Sequence, residues 1–173
     1  MGSLADIYRS YGGLKAFLSS PFMWLSLFAT GACCLMIADD TEWASIPLRV
    51  LPALTGFTFA SFSLFFAIID KDSRRLLSLP GEDFDGQRPI LVVVSKIVHS
   101  VLMQLTALVS AILITMKPFV VPLHPNTVAS LNIGFETIAF FLFVYGIALV
   151  FSVAVTLYQL VEIVASSVDG DKQ

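Results

Sequence analysis

Charge is scarce in this sequence: only 13% of its 173 residues are Asp, Glu, Lys or Arg, about half the share carried by a soluble domain. So few charges cannot cover a water-exposed surface. They form no basic patch interleaved with aromatics, so the net charge of −3 brings no phosphate-tracking groove and no direct nucleic-acid partner is expected. Cysteine is nearly absent. Cys33 and Cys34 are adjacent within one apolar run, which builds neither a disulfide framework nor a zinc site; they read as small buried hydrophobes. Gly31, Ala32 and Cys33 resemble the end of a lipobox, but Thr30 stands where a branched residue is usual and apolar sequence continues to Ile37. A cleaved signal is not expected either, because that run reaches membrane-spanning length.

Catalytic signatures are missing too. There is no phosphate-binding glycine loop, no His-Glu pair spaced for zinc and no serine elbow. Ser100 and His99 are neighbours in sequence and leave a helix in different directions, so they make no triad. Glu136 and Glu162 lie about 39 Å apart along one helix, too far for paired acid-base work. The acidic residues near Gly86 lack the alternating ligand spacing of a calcium loop. No cofactor, no metal site and no enzymatic activity are expected. Broken helices at matching positions of two halves, the mark of many transporters, are also missing.

What the chain does have is hydrocarbon. It is 57% hydrophobic with 15 Phe and a mean hydropathy of +0.85, and its charges cluster between long apolar runs. Lipid satisfies no backbone polar group, so such runs must be helices. The expected fold is an all-α integral membrane four-helix bundle forming a single membrane domain over 1–173. An amphipathic interfacial helix comes first, over 4–19, with Leu4, Ile7, Tyr8, Tyr11, Leu14, Phe17 and Leu18 at steps of three and four. This helix could instead pack on a partner or on the chain's own loop. Four spans follow, over about 21–38, 50–69, 90–116 and 131–165. Ser20 is placed to cap the first and Pro21 to open it, while Trp43 sits where an interfacial aromatic is expected. Pro47 and Pro52 predict an irregular first turn for the second span. The last run is too long for the bilayer, so it tilts or projects a helical extension carrying Gln159 and Glu162.

Lys and Arg fix the expected orientation. Arg9, Lys15, Lys71, Arg74, Arg75, Arg88, Lys96 and Lys172 fall on the side of the termini and the long loop, whereas Arg49 and Lys117 fall on the other. By the positive-inside rule both termini face the cytoplasm.

Polar side chains within the spans are the sharpest candidates for function, because they cannot face lipid alone. Lys96, His99, Ser100, Gln104 and Ser110 recur on one broad face of the third span, with Met103 and Ala107 between them. They either line a pore or carry a signal, with His99 titratable near neutrality, or they make ordinary helix-to-helix hydrogen bonds, with Lys96 snorkelling to the interface. The fourth span carries Tyr145, Ser152, Thr156 and Gln159 on a seven-residue seam suited to packing. Glu136, at its outer end, could pair with Arg49 or Lys117. In the second span Gly56, Ala60, Ser63 and Ala67 line one side, as they would where two helix backbones approach, whether in one subunit or between copies. The loop over 70–89, with Lys71, Arg74, Arg75, Glu82, Asp83 and Asp85, is the candidate docking surface for a cytoplasmic protein.

A short amphipathic start, four spans, and a second helix with Leu54, Thr55, Gly56 and Phe57 running into the charged stretch 70–75 together resemble the small membrane subunits of bacterial phage-defence systems. The layout is most similar to the membrane subunit of the Kiwa system. That resemblance implies a homo-oligomer in the bacterial inner membrane that detects phage-induced membrane perturbation and docks a cytoplasmic effector; it carries over no catalytic residue. The leading expectation is therefore a non-enzymatic oligomeric scaffold or sensor. The alternative is an oligomeric ion channel or membrane-disrupting pore lined by the third span.

Overall fold

Where backbone polar groups must satisfy one another, helices are the expected answer, and they are the answer found. In the computed structural model the described residues are 18–39, 42–69, 88–116 and 125–170, with 71, 75 and 77–79 from the loop; for 34–39, 68, 125–126 and 163–170 the backbone alone is described. The elements are α1 (Pro21–Asp39), a 3-10 turn (Glu42–Ala44), α2 (Ser45–Ile68), α3 (Pro89–Thr115) and α4 (Pro125–Gly170). Among the described residues there is no strand. The expected amphipathic helix lies almost wholly outside the described residues.

Local chemistry explains the helix ends. The Ser20 carbonyl accepts from the backbone N–H groups of Met23 and Trp24, so Ser20 opens α1. Pro89 occupies the first turn of α3 after an extended Arg88, where its missing N–H leaves no bond unmade. In α2 the expected irregularity comes earlier than the sequence suggested. The 3-10 turn at Glu42–Ala44 takes it up, and the helix then runs from Ser45 through Pro47 and Pro52. Pro47 falls in the first turn, where no N–H is needed, and only Pro52 costs an internal bond.

Packing is layered along the axis. Ala44, Ile114 and Ala139 form one layer with Trp43 and Phe135; Leu51, Ala107 and Phe143 form the next. Met23, Tyr145 and Leu149 follow with Met103 and Phe141. Last come Leu77, Val93, Ile97, Val153 and Leu160, with Phe62, Phe65 and Ile69 against them. As α3 numbers fall through these layers, α4 and α2 numbers rise, so α3 runs antiparallel to both. α4 is the common neighbour of the other three helices, and α2 packs chiefly on α3. The first turn of α1 meets α4 at Tyr145 and Leu149, well short of the level of Leu160.

Outside these contacts the surface is apolar. Phe28, Phe57, Leu64, Ile138, Phe151 and Val161 are all more than half exposed, an arrangement that only a nonpolar solvent tolerates. Three helical stretches, Glu42–Ala67, Pro89–Thr115 and Thr127–Glu162, are long and apolar enough to cross a bilayer. The described part of α1's apolar stretch, Pro21–Cys33, is shorter. The chain is a membrane protein whose described elements are all helical.

Candidate functional site: a polar file between α3 and α4

The polar stripe of α3 faces inward. Ser100 and Gln104 are fully buried and His99 nearly so, while the outward face carries Leu91, Leu102, Leu105, Val109 and Ile112. A helix whose neighbours and solvent are both apolar hides its polar residues against protein, because a hydrogen bond unmade there has no water to replace it.

Gln104 is the junction. Thr55 of α2 donates its hydroxyl to Gln104 Oε1 at 2.8 Å. The amide nitrogen of Gln104 reaches Ser100 Oγ at 3.3 Å and the Gly146 carbonyl of α4 at 3.4 Å. One side chain thus ties three helices. Gly146 packs directly on this side chain: a Cβ there would stand in van der Waals contact, 3.4 Å from Gln104 Cγ and 3.6 Å from its Cα, so alanine would fit while a larger side chain would have to find room between α3 and α4.

One turn away, His99 Nε2 and Tyr145 Oη share a hydrogen bond of 3.3 Å, the two rings meeting edge to face. Tyr145 is fully buried and stacks on Phe141, so its ring cannot swing away. Replacing His99 by Phe and Tyr145 by Phe, singly and together, should reveal a coupling of about 0.6 kcal/mol, the usual worth of such a bond in a membrane bundle. Unfolding in mixed micelles measures it. Strict additivity of the two substitutions would count against the contact.

At the loop end of the file, Lys96 Nζ donates to Thr156 Oγ1 at 3.1 Å. Thr156 in turn donates to the Ser152 carbonyl. Lys96 therefore reaches across to α4 at the loop end of the file. At the other end Ser110 turns back onto its own helix, donating to the Thr106 carbonyl. Thr106, Thr137, Thr58, Ser26 and Thr30 also bond to a carbonyl four residues earlier, which is how a hydroxyl is satisfied when no neighbour offers a partner.

Other candidate residues fall elsewhere. Gly56, Ala60, Ser63 and Ala67 are exposed, and a Cβ on Gly56 would meet nothing within 4 Å, so this stripe is no contact within the subunit. The packed face of α2 is the opposite one, built on Leu51 and Thr58. On α4, Tyr145 and Thr156 are buried and Ser152 half-buried, but Gln159 is exposed, so the seam ends at Thr156. Trp43 leans edge-on against Phe140 with its indole nitrogen buried and unpartnered among the described residues. In the loop, Lys71 and Arg75 are exposed; Arg74, Glu82, Asp83 and Asp85 lie outside the described residues.

Sequence reasoning missed Leu77. It is only 2% exposed and inserts from the loop between Val93 of α3 and Leu160 of α4. The signal was a short apolar cluster, Leu76, Leu77 and Leu79, in a mostly polar segment.

No protein-family model, curated protein or solved structure matches this chain.

Proposed function

We propose that the protein is a non-enzymatic membrane scaffold or sensor that holds a cytoplasmic protein on its 70–89 loop. In this reading α1 adds a fourth crossing, both termini lie in the cytoplasm and the protein works as a homo-oligomer in a bacterial inner membrane. Anti-phage defence is the setting that the layout resemblance offers.

The observation that carries the reading is the Gln104 junction. Its amide group is committed to Thr55, Ser100 and Gly146 inside one subunit, and His99 and Lys96 are likewise turned to α4. A pore assembled between copies along α3 would be lined mainly by Leu102, Leu105 and Val109, with the Thr106 hydroxyl between them already spent on the Leu102 carbonyl, which offers an ion little. A tied bundle with a charged loop at one end is better suited to presenting a surface than to conducting.

The test pairs two measurements on the full chain. Extraction in mild detergent should recover more than one copy together with a soluble protein, and charge reversal of Arg74 and Arg75 should release that protein. Purified protein in planar bilayers should give no discrete single-channel currents. Stable unitary conductance that survives the Arg74 and Arg75 changes would replace the scaffold with a channel.

A further inference from the structure

Among the described residues the bundle holds a cation, Lys96, with no carboxylate against it. Lys96 is half-buried on α3, and its ammonium group carries three donors. Among the described residues its hydrogen-bond partner is the Thr156 hydroxyl, a neutral acceptor. The helices themselves offer no carboxylate to meet it: 45–68 and 89–115 contain neither Asp nor Glu, nor do 21–38 of α1. On α4, Glu136 is about 30 Å along the axis from Thr156, and Glu162 sits about 9 Å further on and well round the helix, its side chain exposed.

The depth of this cation follows from α4. Between Glu136 and Thr137 at one end and Tyr158, Gln159 and Glu162 at the other, residues 138–157 are apolar but for scattered small or tyrosine hydroxyls. Twenty residues at about 1.5 Å each make about 30 Å, the thickness of the hydrocarbon layer. Thr156 then lies at its boundary, and Tyr158, 70% exposed, stands where interfacial aromatics sit. Lys96 is therefore at the level where lipid phosphates begin. More exposed cations share this end of the molecule. Arg88 precedes the first turn of α3, Arg75 lies two residues before the buried Leu77, and Lys71 lies two residues after Ile69, which packs in the same cluster; Asp70, Asp72, Glu82, Asp83 and Asp85 belong to the same loop in sequence and lie outside the described residues.

We infer that the loop end of α3 and α4 binds the headgroup of an anionic phospholipid, with Lys96 contacting the phosphodiester and Arg88 and Arg75 supplying the outer charge. Among the described residues Thr156 takes one of the three ammonium donors, which leaves two for phosphate oxygens. Charge-assisted bonds of this kind are about twice as strong as neutral ones, and each juxtamembrane cation adds to retention on an anionic leaflet.

The test uses full-length protein in mild detergent, with phosphatidylglycerol, phosphatidylcholine or inorganic phosphate added, bound lipid read by native mass and stability by thermal unfolding. Phosphatidylglycerol should be retained and should raise the melting temperature, with phosphatidylcholine and phosphate doing neither. Lys96→Met should weaken phosphatidylglycerol retention about fivefold, and Lys96→Arg should restore it. Equal retention of both lipids by the unaltered protein, or unchanged retention in Lys96→Met, overturns the inference. Displacement of the lipid by millimolar phosphate would reassign the site to a small anion. Should Lys96→Met fail to fold, the comparison of the two lipids on the unaltered protein decides.

Discussion

Gln104→Ala should cost the bundle about 3 kcal/mol, the largest loss expected from any single polar side chain in the protein. Three hydrogen bonds disappear, each worth about 0.6 kcal/mol in a membrane bundle, and a void opens where α2, α3 and α4 meet, which adds a packing loss of similar size. The stranded Thr55 hydroxyl can turn back to a carbonyl of its own helix, as Thr58 does to Leu54, so the penalty stops short of a fully orphaned polar group. Gln104→Leu keeps most of the volume and should lose only about half as much. Reversible unfolding in mixed micelles separates the two. If Gln104→Ala were within about 0.5 kcal/mol of the unaltered protein, less than one such bond, the junction would not be tying the helices.

Leu77→Asp acts at the other end. Removing this buried anchor forfeits about 2–3 kcal/mol of apolar contact and sets a carboxylate against Val93, Ile97 and Leu160. The loop should detach while the Gln104 layer stays folded, and limited proteolysis within 70–89 should accelerate by a factor on the order of thirty or more, because cleavage tracks the population of the open form. A scaffold should lose its soluble partner at the same time. An unchanged digestion rate would show that Leu77 does not hold the loop. Loop cleavage with the partner still bound would move the docking surface elsewhere.

These two residues also show what could be read before any coordinates. The inward direction of the α3 stripe was legible, because lipid is intolerant of polar groups and Lys96, His99, Ser100 and Gln104 share a helical face. The partners of that stripe were not. Whether Gln104 meets Gly146 or a residue one turn away depends on how far α3 and α4 slide past each other, and no local pattern encodes that offset.

Which side of α2 meets its own subunit was not legible for a related reason. Both of its faces are apolar, so hydrophobicity does not say which one meets protein. Small residues at Gly56 and Ala60 suggested one face, and the bundle uses the face of Leu51 and Thr58. Leu77 escaped notice because a few apolar residues scattered through a charged loop carry no clear periodicity. Its role exists only once α2, α3 and α4 have brought Phe65, Val93 and Leu160 together.

The length of α4 has a mechanical consequence. At 46 residues it is a rod of about 69 Å, more than twice the thickness of the oily layer it threads. A membrane that thins or stretches alters the inclination of such a rod, and a change of about 10° about its midpoint swings each tip by about 6 Å. Under the proposed sensor reading, the helix would act as a lever that converts bilayer thickness into displacement at its far end.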